Sequence, residues 1–254
     1  MKSMADDALI WRMEKAFLLA WPAPRRERVG DWLLQFAPGI SRRANSANPR
    51  HTPVRDLETT MAECERRYRA ADRPVLFRVL STTEPAVTQR LDRLHYTSEG
   101  ETATLYAPIE ATVRARDAEV LLTTKPEPAW LDAMAAAQGH GGEQAITYRA
   151  IVGAIALPTA FVALRHEGQL ASLAYGAIHD GFLMCESVIT ATAYRNRGYA
   201  QRVVTSLLAW GAEQNAHTAC LQVQTDNMSA LRLYRGLGLK TSLYGYHYRR
   251  APPG

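Results

Sequence analysis

The chain has 254 residues, 47% hydrophobic and 22% charged. These proportions exclude wholesale disorder and leave room for two modules of roughly 120 residues each. No apolar run reaches the ~20 residues of a bilayer helix, the opening residues do not read as a secretory signal, and Cys64, Cys185 and Cys220 are too dispersed for a disulfide framework or a thiolate metal site.

A reducing, cytoplasmic setting follows as the expectation, with no metal and no membrane partner. Thirty Lys and Arg against twenty-five Asp and Glu give a net charge of +5, nearly all of the excess being arginine. The arginines fall in scattered pairs such as Arg25-Arg26, Arg42-Arg43 and Arg66-Arg67, with acids between many of them. A solvated surface is expected rather than a nucleic-acid face, and a small polyanionic cofactor suits the same balance.

In chain order, Leu9 to Ala20 reads as an amphipathic helix ended by Pro22 and Pro24. Val29 to Phe36 reads as a strand, and Ile40 to Ala47 as a second, unusually polar one. Pro53 opens a helix to about Ala71, Val75 to Leu80 is a strand, and Pro85 starts a short helix to Leu94. Thr102 to Ile109 and Thr112 to Thr123 read as a strand hairpin. Thr124 to Pro128, with two prolines, reads as a linker dividing the chain into 1–124 and 128–254.

Trp130 to Gln138 and Glu143 to Leu157 read as helices around a glycine-dense loop, Gly139 to Gly142. Ala160 to Arg165, Gln169 to His179 and Phe182 to Ala191 form an antiparallel meander, with Glu167-Gly168 and Asp180-Gly181 at its turns. A helix from Gly198 to Gln214, a strand from Leu221 to Gln224, a helix from Asn227 to Gly236 and a strand from Leu239 to Tyr248 complete the chain. This order is neither a Rossmann unit nor a solenoid.

The informative segment is Arg195-Asn196-Arg197-Gly198-Tyr199-Ala200, between a strand and a long helix. The first amides of a helix lack partners, and with the helix dipole they favour a diphosphate. Gly198 and Ala200 let that ligand approach the backbone. A second segment, Asn227 through Ala230 and Leu233-Tyr234 to Gly238-Leu239, opens and closes the following helix.

On these two segments the chain resembles the acyl-CoA-dependent N-acyltransferases of the GCN5-related (GNAT) superfamily. The superfamily's cofactor motif falls on Arg195, Gly198 and Ala200, and its second signature on Asn227, Ala230, Leu233-Tyr234 and Gly238-Leu239. The resemblance covers about Ala160 to Arg249. It implies an α+β fold: mostly antiparallel mixed sheets flanked by helices, with a splayed strand pair in the C-terminal module. The implied cofactor is acetyl-CoA. Its pantetheine arm would lie along Val188, Ile189 and Thr190. Its diphosphate would sit on amides from Arg197 to Ala200, with Tyr199 among them and Gln201 beyond, near Arg195. Asn227 and Ala230 would line the site.

The implied chemistry is direct attack of an amine on the thioester in a ternary complex. A backbone amide near Ile189 would stabilise the oxyanion, and Tyr234 would protonate the leaving thiolate. Glu186, mid-strand among apolar neighbours, is either the base or substrate carboxylate, or one half of a structural ion pair. Strand alternation would put Glu186, Val188 and Thr190 on one face and Cys185, Ser187 and Ile189 on the other.

The element order of the first half nearly repeats that of the second, which suggests a degenerate GNAT-like module without a cofactor loop. There Arg43, Asn45 and Ser46 either form a charged edge strand or line an acceptor cleft for an acidic substrate. The acceptor is an amine, on a small molecule or a peptide, and the protein a monomer or homodimer. Two competing readings are a non-catalytic acyl-CoA sensor and an arginine-rich nucleic-acid binder.

Overall fold

In a computed structural model, residues 4–49, 56–112 and 115–252 are described. The elements are α1 (Met4–Ala20), β1 (Arg25–Val29), β2 (Trp32–Phe36), β3 (Ala47–Asn48), α2 (Leu57–Ala70), β4 (Leu76–Leu80), α3 (Pro85–Arg93), β5 (Thr97–Pro108), β6 (Val120–Thr123), α4 (Pro128–Gln138), α5 (Gly142–Gly153), β7 (Thr159–His166), β8 (Gln169–His179), β9 (Phe182–Thr190), α6 (Tyr199–Glu213), β10 (Thr218–Gln224), α7 (Met228–Gly236) and β11 (Thr241–Arg250). Pairing is mostly antiparallel, with parallel steps at β3–β4 and β9–β10. The fold is therefore α+β with mixed sheets and flanking helices.

The chain divides into two compact units that differ from the boundary expected at Thr124 to Pro128. One unit holds Met1–Pro22 and Thr104–Leu243; the other holds Ala23–Ala103 and Tyr244–Gly254. The proline-rich stretch lies inside the first unit, between β6 and α4.

In that unit the strand order is β10-β9-β8-β7-β6. Helix α1 belongs to it because Ile10, Met13, Phe17 and Ala20 repeat at helical spacing and are all buried. Its last turn is held by the Tyr175 hydroxyl, which donates to the Ala20 carbonyl at 2.9 Å. Helix α6 crosses the opposite face of the sheet. A Cβ at Gly211 would lie 2.6 Å from Leu183, so the missing side chain sets how closely that helix approaches.

The other unit has the order β1-β2-β3-β4-β11 around a core of Trp32, Phe36, Met61, Tyr68, Phe77 and Leu91. Here the sequence reading needs three corrections. The single strand expected over Val29 to Phe36 is a hairpin: Val29 faces Trp32, and Gly30, at φ +55°, takes the turn. The polar segment Ile40 to Ala47 is a loop apart from its last residue. Asn45 folds it by donating to the Gly39 and Ser41 carbonyls and accepting from the Ala37 amide.

The third correction concerns the hairpin expected over Thr102 to Thr123. Strand β6 instead pairs with β7, Val120 facing Leu164. The start of α2 is Leu57, capped by Asp56, while the expected start at Pro53 lies outside the described residues. Among the described residues no helix is long and apolar enough to cross a membrane.

Replacing Tyr175 by Phe removes the hydrogen bond at the end of α1 without changing the ring packing. Stability should fall by about 1 kcal/mol, since the Ala20 carbonyl loses this donor. Urea unfolding measures it; an unchanged midpoint would show that the bond does not anchor α1.

Candidate active site

Strand β9 carries the site, and it is irregular. Tyr175 faces Glu186 and Leu173 faces Ile189, so two steps on β8 span three on β9. The extra residue makes a bulge, with Ser187 at φ +52°. The alternation expected from sequence fails at this point. Residues directly opposite in an antiparallel pair share a face. Glu186 and Ile189 therefore lie on the same face, with Tyr175 and Leu173, and Ile189 packs on the cluster containing those two.

On its other side β9 pairs with β10 in parallel over Phe182, Leu183 and Met184, facing Thr218, Ala219 and Cys220. The register stops there, although β9 continues to Thr190 and β10 to Gln224.

Beyond β9 the chain turns into α6. Arg195 Nε donates to the Thr190 carbonyl at 3.3 Å. Asn196 at φ +61° and Gly198 at φ +77° are both left-handed. This conformation explains glycine at 198, because other L-residues resist it. Gly198 is the N-cap of α6 and offers no side-chain bond to the helix. The first bond back to its carbonyl comes from the Arg202 amide. The amides of Tyr199, Ala200 and Gln201 thus begin the helix without a partner in it. A Cβ at Gly198 would meet no protein atom within 4 Å, so the space in front of this turn is open.

Helix α7 forms a second wall. Asn227 caps it, accepting from the Ala230 amide at 3.1 Å and from Ser229 Oγ at 3.0 Å. Ala230, Leu233 and Tyr234 share one side of the helix. Tyr234 is buried, and that burial, reinforced by the negative charge of Glu186, pushes its phenol well above the ordinary tyrosine range. It holds its proton throughout the physiological pH range.

These walls enclose a cavity of about 550 Å³. Of the residues expected to bind cofactor, Val188, Ile189, Thr190, Arg195, Gly198, Tyr199, Ala200, Gln201, Asn227, Ala230 and Tyr234 line it. Arg197 does not; its guanidinium donates to His166 Nε2 at 3.1 Å. The sequence reading missed Tyr194, Asn196, Ser229 and Leu233 in the lining. Leu233 was legible from helical spacing relative to Ala230, whereas Tyr194 depends on the turn after β9 and had no signal.

Glu186 is buried, 8% exposed, outside the cavity lining. Arg43, Asn45 and Ser46 belong to the other unit. The Arg43 carbonyl accepts from Gln35 Nε2 at 2.7 Å, the Asn45 amide group is engaged by its own loop, and Ser46 is fully buried with its carbonyl bonded to the Gln35 amide.

A family model described as "Probable histone acetyltransferase Rv0428c C-terminal" matches residues 8–250. The chain belongs to that family. A Bacillus subtilis (strain 168) protein named "Uncharacterized N-acetyltransferase YobR" is 24% identical over 245 residues, spanning 94% of this chain and 98% of that protein. Two solved structures share the fold. A GCN5-related N-acetyltransferase from Kribbella flavida superposes with a TM-score of 0.70 at 18% identity, covering 100% of this chain and 98% of its own. A tandem GNAT protein from the clavulanic acid biosynthesis pathway gives 0.66 at 12% identity, covering 93% and 87%. The chain thus shares the fold of GNAT proteins of known structure.

None of the three cysteines has thiolate character. All are buried. Burial pushes the thiols of Cys64 and Cys185 up to about 12, and that of Cys220 well above its ordinary value. A thiol-specific chromogenic reagent at pH 7.5 should leave them unmodified in the native protein and titrate all three only after unfolding. Rapid native reaction of Cys185 would reopen a covalent acyl-cysteine route.

Proposed function

We propose that this chain is an acetyl-CoA-dependent N-acetyltransferase that passes its acetyl group directly to an amine in a ternary complex, with donor site and chemistry in the unit containing α6 and α7. The observation that carries this reading is the uncapped first turn of α6 opening onto a cavity that also reaches Tyr234.

The lining suits the donor. The amides of Tyr199, Ala200 and Gln201 meet the diphosphate at the positive end of the helix dipole. The edge of β9 from Val188 to Thr190, beyond the point where pairing with β10 stops, offers backbone groups to the pantetheine amides. When bound, the donor supplies an activated thioester.

The chain's own residues manage the protons. Tyr234 Oη holds the proton given to the departing thiolate sulfur, and its burial keeps that proton in place until it is needed. Glu186 is the buried carboxylate whose charge is felt at both Tyr234 and Cys185. In this reading it takes the proton that the incoming ammonium must lose, because a protonated amine has no lone pair. The backbone at the bulge, between Ser187 and Ile189, supplies an amide for the developing oxyanion.

The other unit resembles a second copy of the same plan. Its order of β3, α2, β4 and α3, with β3 and β4 parallel, repeats that of β9, α6, β10 and α7. We read it as a degenerate module that binds no cofactor.

The arginines do not favour nucleic acid. Arg66 and Arg67 pair with Glu63, Arg69 with Glu65, Arg90 with Glu58, and Arg250 with Glu99. The acceptor is an amine on a small molecule or a peptide; the family's description names histones, and lysine peptides therefore belong in the acceptor screen.

Thiol release with a panel of small amines and lysine peptides tests the activity. Replacing Tyr234 by Phe should lower kcat by about 10²-fold while leaving acetyl-CoA affinity nearly unchanged. Replacing Gly198 by Val should abolish acetyl-CoA binding, because the left-handed turn is strained and the new side chain enters the open space. Unaltered turnover in the Tyr234 variant removes its role as acid. A wild-type protein that binds acetyl-CoA but releases no thiol with any amine favours a sensor.

A further inference from the structure

The turn that carries Gly198 is itself held from outside. His166 ends β7 and stands behind the cavity wall without lining it. Its Nδ1 lies 2.9 Å from the Tyr199 hydroxyl, and its Nε2 lies 3.1 Å from an Arg197 guanidinium nitrogen. Its ring meets the edge of Tyr194 at 5.4 Å between centroids. Arg197 and Tyr199 are the two residues flanking Gly198, and Tyr194 and Tyr199 both line the cavity.

The hydrogen-bond chemistry fixes the form of the ring. A guanidinium only donates, so Nε2 must accept and carry no proton. The proton of the neutral imidazole then sits on Nδ1 and is donated to the Tyr199 oxygen. Tyr199 accepts from His166 and keeps its own phenolic hydrogen for another acceptor. Glu167, with a carboxylate oxygen 3.7 Å from Nε2, lies beyond hydrogen-bond distance and does not compete as an acceptor at that nitrogen.

We propose that His166 is a positioning residue for the acyl donor: through Tyr199 and Arg197 it locks both sides of the Gly198 turn, so that the amides of α6 face the diphosphate together. This inference rests on the donor site proposed above. The lock has a physical purpose. Asn196 and Gly198 are both left-handed, and a turn with two such residues loses little by unwinding unless something outside it holds it. His166 acts only through its neighbours and touches neither thioester nor amine, so its effect falls on donor affinity and not on the chemical step.

A double-mutant cycle scored by acetyl-CoA binding in a calorimeter tests this, with the unliganded melting temperature measured for each variant. His166→Ala should weaken acetyl-CoA about tenfold, the loss of two modest hydrogen bonds. Tyr199→Phe should weaken it several-fold, and the double variant should be no weaker than His166→Ala alone. His166→Asn, whose amide nitrogen replaces Nδ1 as donor to Tyr199, should recover part of the loss.

A merely structural histidine would lower the melting temperature and give additive losses with no recovery in the Asn variant; that result overturns the proposal. Unchanged affinity in His166→Ala overturns it too, while leaving the donor site intact. Failure of the wild-type protein to bind acetyl-CoA is a different result: it removes the donor site itself, and this role with it.

Discussion

A helix that starts on glycine has amides to spare. Gly198 enters α6 at φ +77° and has no side chain with which to cap it. The amides of the first turn must find oxygen elsewhere, in water or in a ligand. Left-handed residues concentrate just upstream, at Ser187 in the bulge and Asn196 in the turn. Each costs something locally, and such costs persist only where the surrounding structure enforces them. Here the enforcement comes from the β8–β9 ladder on one side of the bulge and from Arg195 and His166 around the turn. The result is a row of donors presented to an open cavity.

Proton chemistry is arranged around the same strand. Cys185, Glu186 and Tyr234 share an electrostatic neighbourhood in which burial disfavours added negative charge. A thiolate at Cys185 is disfavoured there, which speaks for direct transfer over an acyl-cysteine. A phenol that keeps its proton suits a group waiting for a leaving thiolate. The bulge adds a further effect: it puts the Glu186 and Ile189 side chains on one face of the sheet, with Tyr175 and Leu173.

Much of the second half was legible. The meander had Glu167-Gly168 and Asp180-Gly181 at its turns, and in the structure Glu167, Gly168, Asp180 and Gly181 all have positive φ. The helices after it had strong apolar periodicity, and the glycine-bearing turn stood where the cavity lies. What was hidden depended on tertiary pairing. Nothing in Ser187 marks a bulge, because its positive φ is imposed by the register with β8. The hairpin at Gly30 was masked because its first strand, Arg25 to Val29, is charged and not apolar, so only the apolar run at Trp32 to Leu34 marked a strand. The polar run ending at Ala47 looked like a strand, yet Asn45 spends its amide on the loop. The division into units was also illegible at Thr124 to Pro128, since α1 joins the unit of α6 and most of β11 joins the other.

Amide hydrogen exchange at Tyr199, Ala200 and Gln201, with and without acetyl-CoA, tests the central claim most directly. The account predicts fast exchange in the free protein, as expected for uncapped helix-start amides, and marked protection when acetyl-CoA is bound. Slow exchange in the free protein, or saturation with acetyl-CoA that leaves these amides unprotected, would contradict it.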